Sequence, residues 1–418
     1  MTEKNRKNVL ILTADAGFGH RSAANAVSAA LKERHGDECN VEIVNPMEDK
    51  RTPFFLRDSQ TDYDKIVRTV PELYKLGFEA SDAPVPGVIA ESALTVMLYE
   101  VMRDIIKTFK PDVIVSTFPL YQAPLNAVFT VYRRKIPMLT VVTDLVTIHR
   151  LWFNNSVDLL LVPTPYVRDL AKASNISEEK IRITGIPVNP EIVHEKRSPA
   201  EIRLALGWKE DLLTFLAIGS KRGENLLETL NVLNHFGEPL QIVVAAGNDE
   251  LLYQKLHEIE WHVPVHLYKY VSHIPTFMLA SDAILCKAGG LVVTEALACG
   301  TPILLVDAIP GQETGNAEYV VNGGAGEMVS SPLEMLQTVS HWMMNDRRLL
   351  KERAENAMRL GHPDAAFQVA DMVIEMATLE NLNLKSKWIT DRKRLVDLLK
   401  KNHIPIRFSL LQEKEKAE

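Results

Sequence analysis

Cysteine is scarce in this chain: three residues in 418, Cys39, Cys286 and Cys299, lying far apart or inside apolar elements. That spacing excludes a disulfide framework and fits a reducing cytosol. Long apolar runs are missing too. No stretch approaches the roughly 20 residues needed to span a bilayer, so any membrane contact is expected to be peripheral. The opening MTEKNRKNVLIL is charged, with only a short apolar run before Asp15, unlike a signal peptide. There is no excess of positive charge: the formal net charge is −7, which argues against a general nucleic-acid binder. No His, Cys, Asp or Glu cluster has metal-ligand spacing. The triplet Asp62-Tyr63-Asp64 looks like a metal-binding D-x-D, but it sits in a charged stretch and not after a strand, so it reads as solvated surface.

The composition that remains is that of a globular protein, 46% hydrophobic and 24% charged. At 418 residues the chain exceeds what one core usually supports, so two domains are expected. Near-continuous apolar runs fall at 8–14, 41–45, 112–117, 137–144, 157–164 and 181–188, with helical patterns such as 20–34 and 91–109 between them. The alternation restarts at 212–219, 241–247, 263–270, 283–287, 302–306 and 325–329. Strands that are apolar throughout are covered on both faces, as in parallel sheets. The reading is α/β, with two doubly wound parallel-sheet domains joined by the polar, proline-punctuated NPEIVHEKRSPAEI. A helix near 365–379 and a basic segment at 385–407 follow.

Four loops at strand ends carry chemistry. The most informative stretch, Ala283 to Asn316, reads AILCKAGGLVVTEALACGTPILLVDAIPGQETGN. It encodes a strand, a turn with Gly289 and Gly290, a short helix bearing Glu295, a second strand and the polar PGQETGN. A loop there is where open α/β sheets hold nucleotides. Glu295 has no packing reason to sit among small apolar residues, and it suits vicinal hydroxyls such as a ribose; the plain alternative is a structural bond in an ordinary turn. TADAGFGHRSAANAV (13–27) places Gly17 and Gly19 in a tight turn and His20 at a helix start. Backbone N–H groups there can face an anion or polar substrate, and a histidine in that place can take a proton from a hydroxyl nucleophile, unless it merely caps or packs. This is not the G-x-G-x-x-G fingerprint. IGSKRGEN (218–225) brackets Ser220, Lys221 and Arg222 between Gly219 and Gly223, suiting a diphosphate leaving group or simply an exposed basic turn. In VVTDLVTIHRLWF (141–153), Asp144 ends a strand and either assists a base or caps a turn. Residues 51–78 mix Phe54, Phe55, Leu56, Tyr74 and Phe78 with Arg51, Arg57, Lys65, Arg68 and Lys75, which suits an anionic membrane surface or, in part, a core.

These motifs resemble the diacylglycerol glycosyltransferases, the monogalactosyl- and monoglucosyl-diacylglycerol synthases, relatives of the N-acetylglucosaminyltransferase that makes lipid II. The likeness runs from about residue 8 to about 375. The pattern AD-x-G-x-GHR-x-(A/S)-A is met by Asp15, Gly17, Gly19, His20, Arg21, Ala23 and Ala24, with Phe18 in place of a small residue. A TD…H-x-x-WF segment is met by Thr143, Asp144, His149, Trp152 and Phe153. The KAG…EAL…PGQE-x-GN block is met by Lys287, Ala288, Gly289, Thr294, Glu295, Ala296, Leu297, Pro310, Gly311, Gln312, Glu313, Gly315 and Asn316.

The resemblance implies a GT-B fold, two facing Rossmann-like doubly wound parallel-sheet domains with an interdomain cleft. It implies an acceptor-binding domain over 1–190, a UDP-sugar-binding domain over 200–365, and a helix and basic tail over 366–418. The implied activity is inverting transfer of glucose or galactose from UDP to the 3-hydroxyl of diacylglycerol, without cofactor or metal, at the cytoplasmic membrane. In it His20 is the general base, with Asp144 as the alternative base or its helper. Gly17, Gly19, Gly219, Ser220, Arg222, Lys287, Gly289 and Gly290 surround the substrates. Glu295 holds ribose, Gln312 with Glu313 holds the donor-sugar hydroxyls, and Asn316 belongs to the same donor site. The rival readings are another lipid-linked or natural-product acceptor, a UDP-sugar 2-epimerase of the same architecture, and a non-catalytic nucleotide-sugar sensor.

Overall fold

A computed structural model describes residues 6–16, 19–54, 56–57, 84–219, 224–309 and 313–378. The chain divides into two compact units. The first comprises 1–144, 148–187 and 365–418, and the second 145–147 and 188–364.

The first unit is a six-stranded sheet in the order β2-β1-β3-β4-β5-β6. Its strands are β1 (Lys7–Leu12), β2 (Cys39–Val44), β3 (Val113–Ser116), β4 (Met138–Val141), β5 (Leu159–Val162) and β6 (Ile181–Ile183). Every pairing is parallel. β3 and β4 are buried at every position, so helices must cover both faces. One of these, Gly19–His35, turns Ala23, Ala24, Ala26, Val27, Ala30 and Leu31 inward. Those small side chains let it lie close to the sheet, with His20 in its first turn.

The second unit has six strands in the order β12-β11-β10-β7-β8-β9. They are β7 (Leu213–Ile218), β8 (Leu240–Ala245), β9 (Val265–Tyr268), β10 (Ala283–Lys287), β11 (Ile303–Asp307) and β12 (Gly326–Met328), again all parallel. Read from the other edge, this is the Rossmann order, with the direction of winding reversing between β7 and β10. In the first sheet the reversal falls between β1 and β3. The core of each unit lies around its own sheet.

Two features add to the expected division. The helix expected after residue 365 is Ala365–Thr378, and it packs with the first unit. Asp371 pairs there with Arg34 (2.5 Å) and His35 (2.8 Å), and the Arg34 guanidinium lies 4.4 Å over the Phe367 ring. Cations in the last turn of a helix also meet its negative end, which favours Arg34 at that place. The expected linker, in turn, belongs to the second unit, where it forms the helices Glu191–His194 and Pro199–Leu206. The second of these starts at a capping box, Ser198 with Glu201, and stops at Gly207, whose φ of 75° suits glycine.

Arg203 wires that helix to the sheet. Its guanidinium donates to the Ala280, Glu210 and Leu212 carbonyls and to Asp282 Oδ2 at 2.7 Å, and Asp282 Oδ2 also accepts from the Thr214 amide. Removing one partner of a buried pair leaves the others unsatisfied. Arg203→Ala is therefore expected to cost roughly 3 kcal/mol, read as a lowered denaturation midpoint of the second unit; an unchanged midpoint contradicts this role.

Candidate active site

In each sheet, the loops beyond the carboxyl ends of the strands flanking the switch point gather the polar side chains. In the first unit these are the loops after β1, β3 and β4. His20 Nδ1 lies 2.6 Å from Thr143 Oγ1. The Thr117 hydroxyl, just past β3, donates to the His20 carbonyl at 3.0 Å. The Phe118 ring meets the imidazole edge-on at 4.9 Å, and the Trp152 ring lies 6.0 Å away. The imidazole is thus held on several sides. Burial pushes His20 below the usual imidazole range, while the Asp144 carboxylate and a backbone contact with Thr117 raise it again in part.

Asp144 differs from the simplest expectation of an Asp–His pair. Its Oδ2 accepts from the indole Nε1 of Trp152 at 2.6 Å, and among the described residues no hydrogen bond joins it to His20. It acts on the ring through its charge. Burial pushes the Asp144 carboxyl up, partly offset by His20, by the Trp152 hydrogen bond and by His149. His149 caps the short turn Arg150–Trp152, its Nδ1 accepting from the Leu151 amide at 3.2 Å, so the motif serves to place Trp152.

Asp15, after β1, and Arg21, in the first turn of the helix Gly19–His35, form an ion pair. The Arg21 guanidinium grips both Asp15 oxygens at 2.7 and 2.9 Å, and Asn45 donates to Oδ2 at 3.0 Å. That bidentate pair holds Asp15 well below the usual carboxylate range.

In the second unit the loops follow β7, β10 and β11. A Cβ at Gly219 would lie 2.7 Å from Leu252 Cδ2 and 3.0 Å from Ala246 Cα, so glycine relieves a crowded position at the end of β7. The pairing of β10 with β11 shifts register between Cys286 and Lys287, a bulge that re-aims the Lys287 side chain. Its Nζ pairs with Glu313 Oε1 at 2.9 Å, while Glu313 Oε2 accepts from the Ile309 amide at 2.9 Å. Expected to hold sugar hydroxyls, Glu313 here first ties the loop after β11 to the end of β10. Each of its oxygens keeps a further lone pair. Asn316 also binds inward, donating to the Ala288 carbonyl at 3.0 Å.

Glu295 stands differently. It is 6% exposed, and among the described residues no donor faces its carboxylate. Burial alone pushes it up to about 7. A largely buried carboxylate with no hydrogen-bond donor among the described residues is a mark of a functional site. It lies on the helix Gly290–Ala298, whose first amides open at Gly289 and Gly290 beside Lys287, an arrangement that receives anions.

Gly17, Ser220, Arg222 and Gln312 lie outside the described residues, as do residues 58–78 and 385–407. In the described part of the aromatic–basic segment, Phe54 is 68% exposed, Leu56 packs on the core, and Arg51 pairs with Asp49 and Asp104. Among the described residues no group of three or more His, Cys, Asp or Glu could hold a metal, and no helix is long and apolar enough to cross a membrane. Reading the sequence missed Thr143 as the partner of His20; the signal for it was a hydroxyl beside Asp144 at a strand end.

Solved structures share this architecture. MurG of Acinetobacter baumannii superposes with a TM-score of 0.59 at 16% identity, covering 88% of this chain and 99% of that one. The UDP-GlcNAc 2-epimerase of Neisseria meningitidis gives 0.58 at 15%, covering 88% and 100%. The fold is therefore GT-B. Residues 20–188 match the family described as monogalactosyldiacylglycerol (MGDG) synthase, and residues 202–360 match glycosyl transferases group 1. The class of the protein is thereby a glycosyltransferase. The chloroplastic monogalactosyldiacylglycerol synthase of Spinacia oleracea is 35% identical over 88% of this chain and 72% of that protein. Monogalactosyldiacylglycerol synthase 3 of Arabidopsis thaliana is 33% identical over 87% and 80%. The chain belongs to the monogalactosyldiacylglycerol synthase family.

The His20 surroundings give a signed expectation. The folded chain binds the His20 proton less readily than the unfolded one, so the stability tied to this group is complete above about 6.5 and is lost as pH falls below that value. By NMR, His20 should titrate below 6.5, and Asp144→Asn should lower it further; titration at or above 6.5 contradicts the buried ring.

Proposed function

We propose that this protein transfers galactose from UDP-galactose to the 3-hydroxyl of a 1,2-diacylglycerol with inversion at the anomeric carbon. The observation that carries this reading is the likeness to the spinach synthase, 35% over 88% of the chain, which extends across both units. The names of the curated relatives favour galactose over the glucose that the sequence left open.

In the proposed reaction the acceptor hydroxyl gives its proton to His20 while its oxygen forms the new bond to the anomeric carbon. The bond from that carbon to the UDP oxygen breaks, and the pair of electrons leaves with the diphosphate. Desolvation keeps the imidazole neutral near pH 7, the form a general base needs. Asp144 favours the imidazolium that results. In the second unit, the diphosphate meets the helix start at Gly290 and the Lys287 ammonium, which supply fixed positive potential where charge develops. Glu295 accepts from the ribose hydroxyls, which satisfies its buried carboxylate. Glu313 and Asn316 hold the loop that meets the sugar. The charges needed are supplied by these groups, so the reaction runs without a metal. The protein works on lipid at a cytoplasmic membrane surface, with Phe54 among the groups that reach it.

The fold likeness to 2-epimerases, at 15% identity, carries the architecture alone and does not favour that activity.

The test is incubation of the protein with labelled UDP-galactose or UDP-glucose and diacylglycerol vesicles. A β-linked monogalactolipid should form, unaffected by EDTA, and His20→Ala should lower the rate by about a hundredfold or more. A glucolipid removes the donor assignment. UDP release without any glycolipid removes the acceptor.

A further inference from the structure

Thr143 stands beside the proton chemistry proposed above, yet that chemistry gives it no part. It is 7% exposed, and its Oγ1 makes the imidazole's one hydrogen bond to another side chain among the described residues, at 2.6 Å from Nδ1. Asp144, the next residue along, spends its Oδ2 on Trp152. A hydroxyl, and not a carboxylate, therefore grips the ring nitrogen. Phe118 and Trp152 lie against the ring, the Thr117 hydroxyl pins the His20 backbone, and the Thr117 backbone also faces the ring and favours its protonated form. The position of the ring is thus set, and what remains open is which nitrogen carries the proton.

The geometry points to Thr143 as a positioning residue whose Oγ1 accepts Nδ1–H of His20, leaving Nε2 bare to take the proton of the acceptor hydroxyl. This rests on the reading of His20 as general base. A neutral imidazole has a single N–H, and the partner of one nitrogen decides the state of the other. Were Thr143 to donate, Nε2 would keep the hydrogen and have no lone pair for the substrate. Accepting also survives the reaction. The proton arrives at Nε2, the imidazolium carries N–H at both nitrogens, and Oγ1 goes on receiving Nδ1–H with no heavy atom displaced. The proton then leaves Nε2 for water. A hydroxyl orients the ring without adding charge. The charge that favours imidazolium comes from Asp144, itself faced by Trp152 and His149.

The test is ¹⁵N NMR of the imidazole in the full chain, together with the kinetics of three variants. In the neutral wild-type protein the proton should reside on Nδ1. Thr143→Ser should keep it there, with kcat within about twofold of wild type. Thr143→Val should release the preference and lower kcat by about tenfold or more, with KM for the UDP-sugar within about twofold. A wild-type proton on Nε2, or a Thr143→Val enzyme with wild-type kcat, overturns the assignment. If Thr143→Val does not fold, the wild-type and Thr143→Ser spectra decide it alone. His20→Ala separates the two readings: full transfer by that variant removes the base, while the spectra still report where Thr143 holds the proton.

Discussion

A parallel sheet buried on both faces has no place for charged side chains except at the ends of its strands, and the polar ones it keeps inside, such as Thr140 and Gln241, are hydrogen-bonded. This constraint organises the whole molecule. β3, β4 and β8 are buried along their entire length, so the apolar effect that builds each core also drives the chemistry out to the connecting loops. Where the winding reverses, adjacent loops leave in opposite directions and open a crevice. The loops after β1 and β3 do so in the first unit, and those after β7 and β10 in the second. His20 and Thr117 lie at the former, with Thr143 and Asp144 beside them after β4; Gly219, Lys287, Gly289 and Glu295 lie at or near the latter.

The two sites differ in how they treat charge. The first lowers an imidazole's pKa by burial and holds a carboxylate near it without a hydrogen bond among the described residues. The carboxylate's charge offsets part of the burial and favours the protonated ring. The second sets the Lys287–Glu313 ion pair and the start of the helix Gly290–Ala298 at the strand ends, with the largely buried Glu295 carboxylate on that same helix. That carboxylate is costly while unpartnered and gains most from hydroxyl donors. Support lies behind both sites. Asp15 with Arg21 joins the end of β1 to the first helix, and Glu313 joins Ile309 to Lys287.

The twelve strands of the described residues fall on the runs read from the sequence, most clearly at β3 and β4, where two-sided burial writes itself as a near-unbroken apolar stretch. Their ends were less legible. The run at 8–14 includes Thr13 and Ala14, but β1 stops at Leu12, where its pairing with Val44 and Ser116 ends. Local pattern carries no information about such partners. The return of Ala365–Thr378 to the first unit was hidden for the same reason, since it depends on Asp371 meeting Arg34 and His35 more than 330 positions away. Of the site, His20, Glu295 and the glycine turns could be read from residue type and place. The hydrogen bonds of Thr143, Asp144 and Glu313 could not, since each joins loops distant in sequence or depends on the exact fold of a turn.

The central claim is a division of labour, with the nucleotide held in the second unit and the proton handled in the first. Calorimetric titration of UDP into the wild type, His20→Ala and Glu295→Ala tests it most directly. The account predicts wild-type affinity for His20→Ala and a loss of about tenfold or more for Glu295→Ala. Weakened binding by His20→Ala, with Glu295→Ala unaffected, would contradict it.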